Sequence, residues 1–140
     1  MFHTAGIATL IVVCLTLQGC LGRPPPPYPD YWKKNGESFV NVSKALLECG
    51  ANNPFADASL FPYPEGENND QWAKVELCMM KAGFKYKYDR SRLMCPHRVK
   101  DIEICKPESG GLVPERSIDV RLGSQFCNDP WYSRSPACQP

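Results

Sequence analysis

A chain of 140 residues, 43% hydrophobic and 11% aromatic, has material for one small core and too little for two. Its 16 Lys and Arg against 15 Asp and Glu leave a formal charge of +1, with the signs interspersed, so no basic block exists to follow a nucleic-acid backbone. No apolar run approaches the roughly 20 residues of a permanent membrane-spanning helix.

Residues 8–17 form an apolar stretch of the length found in secretory signals, preceded by no Lys or Arg, only His3 and the initiating amine. It closes on Leu17, Gln18, Gly19 and Cys20. A branched aliphatic residue three positions before the cysteine and a small one next to it resemble the lipobox of bacterial lipoproteins. The resemblance implies a signal over 1–19, cleavage before Cys20, and attachment to a membrane through lipid on Cys20. Leu21 stands where an aspartate would favour retention at the inner membrane, so the resemblance implies the bacterial outer membrane. The alternative is an ordinary signal cut near Gly22, which leaves a soluble secreted protein.

The next segment, 20–34, reads as anchor and tether. Gly-Arg-Pro-Pro-Pro-Pro-Tyr-Pro at 22–29 cannot pack as helix or internal strand, because proline lacks the amide hydrogen and its ring fixes one torsion. In the extended polyproline conformation it spans on the order of 25 Å. A proline-rich ligand for an aromatic groove is the rival reading.

A globular domain is expected over 35–140. After the turn at Asn35 and Gly36, the three and four residue steps of Phe39, Val42, Leu46 and Cys49 predict a helix capped by Ser38 or Asn35 and ended by Gly50. Residues 51–69, with three prolines, form a loop whose Phe55, Leu60, Phe61 and Tyr63 should lie against the domain. A second helix over 70–82 carries Trp72, Val75, Met79 and Ala82 on its apolar face and stops at Gly83. Beyond it the period becomes two. Phe84, Tyr86 and Tyr88 alternate with Lys85 and Lys87, and Ile118, Val120 and Leu122 alternate with Asp119 and Arg121, which predicts two strands. Short strands are also expected at 93–95 and 102–105. The fold class is therefore α+β, a small domain with two helices and a short antiparallel sheet.

Eight cysteines occur, of which Cys14 falls in the signal and Cys20 takes the lipid. The remaining six, Cys49, Cys78, Cys95, Cys105, Cys127 and Cys138, are an even number in an exported chain and predict three disulfides. Short polar loops favour local closure of 95 with 105 and 127 with 138, and Cys49 and Cys78 border the apolar faces of the two helices, so these three pairs are preferred among the fifteen connectivities that six cysteines allow. Zinc is the rival at Cys95-Pro96-His97, but no paired Cys-x-x-Cys knuckles support it, and no metal or cofactor is expected. His97 is the one histidine after the signal, and there is no Gly-x-Ser-x-Gly elbow. Asp101 with Glu103 reads as ordinary turn charges. No catalytic residue is assigned, and the chain is not expected to be an enzyme.

Tyr-Trp-Lys-Lys-Asn-Gly at 31–36, Ala-Leu-Leu-Glu-Cys-Gly at 45–50, Leu-Cys-Met at 77–79, Gly-Phe-Lys-Tyr at 83–86 and the closing Pro-Ala-Cys resemble a group of small bacterial outer-membrane lipoproteins. Relative to its shorter members, 94–126 looks like an insertion. The resemblance implies an architecture and an address and carries no activity. The expected role is a binding or structural component of the cell envelope with an envelope protein as partner, through an exposed aromatic cluster of Tyr28, Tyr31, Trp32, Trp131 and Tyr132. The rivals are an inhibitor or exclusion factor presenting the 127–138 loop, and an envelope hydrolase built on His97.

Overall fold

A computed structural model describes residues 27–55, 69–95, 102–106 and 113–140. The first long helix, α1, spans Phe39–Glu48. Ser38 caps it in extended conformation, its hydroxyl accepting the Asn41 N–H at 3.2 Å. At the other end Gly50 adopts φ +93°, so that its N–H reaches Leu47 O and the Ala51 N–H reaches Leu46 O. These two bonds satisfy carbonyls that the helix leaves open, and glycine makes the left-handed turn without strain. A Cβ at Gly50 would also stand 2.9 Å from the amide nitrogen of Gln71, which donates to Gly50 O. The second long helix, α2, spans Asn69–Lys81 and ends in the same way, with Gly83 at φ +86° and the Phe84 N–H on Met79 O.

The two helices pack through the faces their periods set out, with Val42, Ala45 and Leu46 of α1 and Trp72, Val75 and Met79 of α2 buried. A disulfide between Cys49 and Cys78 joins them, Cα to Cα 5.6 Å. Phe39 departs from the expected stripe. It is 43% exposed, because the first turn of α1 projects past the core and its ring stacks on Phe55 instead.

Within residues 28–34, assigned by composition to the tether, Tyr28, Tyr31 and Trp32 join this core. Tyr28–Tyr31 form a 3-10 turn, Tyr28 and Trp32 are buried, and the Tyr28 ring meets Trp72 edge-on at 5.3 Å. Strand β1, Trp32–Lys33, then pairs antiparallel with β2, Lys85–Tyr86, in the register Trp32 to Tyr86 and Lys33 to Lys85. The sheet is thus a ribbon of two short strands whose aromatic face lies on the core and whose lysines face out.

Residues 118–122 are not a strand. They form a short helix, α3, Ile118–Leu122, capped by Ser117, followed by α4, Gln125–Asn128, capped by Ser124. The apolar alternation misled here because Ile118, Val120 and Leu122 are exposed, while Arg121 is the residue that turns inward. Residues 102–105 likewise make no strand, and Glu103–Cys105 is a 3-10 turn that buries Ile104. Residues 93–95 follow a 3-10 turn at Arg90–Arg92 and bury Leu93 and Met94 without a sheet partner. Among the described residues no helix is long and apolar enough to cross a membrane.

Candidate binding surface

The C-terminal quarter of the described chain is mounted on the back of α1. Leu47 leaves the main core and packs with Phe126, Cys127, Ala137 and Cys138 in a second, smaller one. Beside it Glu48, itself buried, receives Arg116 at 2.6 Å, and Arg121 Nε lies 3.3 Å from its other carboxylate oxygen. Arg121 is 3% exposed and donates from one terminal nitrogen to Ala137 O at 3.0 Å and Gln139 O at 2.7 Å. A guanidinium with several fixed donors suits this task, since it neutralises one carboxylate and satisfies two tail carbonyls together. Lys44 of α1 adds a bond to Pro140 O. The tail is therefore clamped by Arg121 as well as by the bridge from Cys127 to Cys138.

On this mount sits the loop closed by Cys127 and Cys138, eleven positions apart. Asp129 organises its turn: the side chain accepts the Trp131 N–H at 2.8 Å, and its carbonyl accepts those of Tyr132 and Ser133. The result holds Trp131 outward, 89% exposed. Tyr132, half exposed, stacks on Phe126 at 4.7 Å, Phe126 meets Phe55 at 5.6 Å, and Phe55 stacks on Phe39 at 6.0 Å. A ladder of aromatic rings thus runs from the stapled loop to the start of α1, with Ile118, Val120 and Leu122 exposed on adjoining α3.

Of the five aromatics expected on the surface, only Trp131 and Tyr132 are there. Tyr28, Tyr31 and Trp32 cover the helix pair. The six cysteines form the bridges Cys49 to Cys78, Cys95 to Cys105 and Cys127 to Cys138, so the Cys95 sulfur is not a thiolate ligand. Glu103 pairs with Lys106. Cys20, His97 and Asp101 lie outside the described residues. Comparison with protein-family models, curated proteins and solved structures found no match. The reading of this surface therefore rests on its own chemistry.

Sequence reasoning missed Phe39 and Phe55 as members of the surface, and it missed a buried carboxyl. Glu76 of α2 is 2% exposed and accepts the Met94 N–H at 2.7 Å. Burial pushes its pKa up to about 8, against the opposing effect of that hydrogen bond. Burial also raises the Tyr28 phenol well above its usual range, and the nearby Glu76 carboxylate adds to the rise. One signal was available: Glu76 stands directly after Val75, inside the apolar stripe of α2.

Proposed function

We propose that this chain is a lipid-anchored lipoprotein of the bacterial outer membrane, held by acyl groups on Cys20, whose folded domain binds an envelope protein. The observation that carries the binding role is Trp131, displayed almost wholly in solvent on a disulfide-closed loop beside a ladder of rings in which Tyr132, Phe55 and Phe39 are part-exposed around the buried Phe126. An aromatic residue held rigidly outside the core contributes large contact area at small entropic cost when a partner covers it. The domain acts as a binding module and not as an enzyme, without metal or cofactor. Rigid closure of the 127–138 loop by Cys127, Cys138 and the Asp129 turn favours one variant of this role, an inhibitor or exclusion factor whose loop enters the partner's cleft.

The test is site-specific crosslinking in intact cells. A photoreactive phenylalanine analogue in place of Tyr132 should capture a discrete envelope protein. Trp131→Ala in the same chain should abolish capture and leave the unfolding midpoint unchanged, because the indole touches little of the fold. Capture at equal yield with Trp131→Ala would remove the loop from the binding role. If the captured protein is an enzyme whose activity rises when this chain is deleted, the inhibitor variant holds.

A further inference from the structure

The outward face of the β1 and β2 ribbon is the most uniformly charged feature of the fold. Lys33 and Lys85 are direct partners across the ladder, hence on one face, and Lys87 follows Lys85 at the two-residue step; all three are exposed. The Lys87 N–H extends the pairing by donating to Tyr31 O at 2.8 Å. Like charges placed directly opposite in an antiparallel pair disfavour the ribbon. Some other cations of the fold do have carboxylate partners: Lys81 meets Glu115, Lys106 meets Glu103, and Arg116 and Arg121 meet Glu48. Among the described residues no carboxylate pairs with Lys33, Lys85 or Lys87. Tyr88, partly exposed and packed on Tyr31 at 4.8 Å, stands beside Lys87 with an aromatic body and a polar tip.

Strand β1 of the ribbon also lies close in chain to Cys20. Lys33 follows Pro27, the first described residue, by six positions, and only seven separate Pro27 from Cys20. We infer that the lysine face of this ribbon docks on the anionic phospholipid headgroups of the bilayer that holds the anchor, which turns the Trp131 loop's position relative to the membrane from free to set. Lysines next to an anchor are attracted by an anionic surface within about a Debye length, roughly 8–10 Å at physiological salt. The inference rests on the anchored reading for its place in the cell, while the surface itself can be tested without lipid.

The test uses the exported chain from residue 20 onward, carrying Cys20→Ser so that no acyl group contributes, with its bridges formed. It is floated with vesicles of phosphatidylcholine and with vesicles that also contain phosphatidylglycerol. The expected result is binding to the mixed vesicles at least tenfold above that to phosphatidylcholine, lost on adding salt and reduced to the phosphatidylcholine level by Lys33→Glu, Lys85→Glu and Lys87→Glu together. Free glycerol phosphate should not compete at concentrations matching the lipid phosphate, which separates a headgroup surface from a site for one phosphate. Equal binding to both vesicle types, or equal binding by the triple variant, would overturn the inference and point to an acidic protein as the occupant. Fatty-acid labelling of the chain with Cys20 intact decides the anchor separately, so the failure of either is recognisable.

Discussion

At the scale of single residues, Glu76 is a group whose chemistry departs far from that of its exposed counterpart. Its carboxyl is buried between α2 and the segment carrying Met94, and its pKa stands near 8, against about 4.3 in an unfolded chain. Between those values the folded chain holds a proton that the unfolded chain has released, so stability falls as pH rises, by up to about 1.4 kcal/mol per pH unit. The loss is complete above the folded pKa. Glu76→Gln resembles the protonated carboxyl and keeps an oxygen for the Met94 N–H. Its unfolding free energy, measured by urea between about pH 5 and about pH 8, should be flatter with pH than that of the natural chain. An equally steep decline in both would assign the titration to another group. Arg121 illustrates the opposite solution to burial. Glu48 and the carbonyls of Ala137 and Gln139 surround its guanidinium, and removing one member of such a set leaves the others buried and unsatisfied.

At the scale of elements, α1 is the member on which both cores depend. Val42, Ala45 and Leu46 face α2, while Leu47 faces the C-terminal loop. Leu46 is wholly buried, so Leu46→Ala should cost about 2–5 kcal/mol through lost transfer energy and an imperfectly collapsed cavity. Met80 of α2 packs at the core's edge and is only partly buried, so Met80→Ala should cost less. Two-state urea unfolding of the two variants measures the difference, and a near-zero change for Leu46→Ala would place that face of α1 in solvent. Both helix ends were legible from the chain: Ser38 was named as a cap, and Gly50 and Gly83 as stops, because caps and left-handed glycines act over four or five residues. The strand expected at 118–122 failed for the complementary reason. Alternation marks a strand only when a neighbouring strand and a core lie on one side, and here Ser117 caps a helix while Glu48 draws Arg121 inward.

At the scale of the whole molecule, three disulfides staple a small domain, and each typically contributes about 2–4 kcal/mol by restricting the unfolded chain. Such bridges persist in oxidising compartments, which supports the proposed export of the chain. The anchor makes the sharpest expectation at this scale. Two or more acyl chains, at about 0.8 kcal/mol per buried methylene, give stable attachment where one chain is marginal. Metabolic labelling with a radioactive fatty acid should mark the natural chain, and Cys20→Ser should abolish the label. A natural chain that carries no label and begins near Arg23 would be an ordinary secreted protein, with Cys20 discarded alongside the signal.

What the sequence determined by itself was a large part of what near neighbours govern: the two long helices and their ends and the α+β class, with the cysteine pairing given as a preference. Tertiary structure alone decided which of two similar aromatic pairs is surface. Tyr31-Trp32 and Trp131-Tyr132 have the same composition and both lie near prolines. The first meets Trp72 and the β2 ribbon through Tyr28 and Tyr86, whereas Asp129 turns the second outward and only Tyr132 finds a ring to stack on. Burial is a relation between segments distant in the chain. For that reason Glu76 and Arg121 inside, and Trp131 outside, could be assigned only once those segments had met.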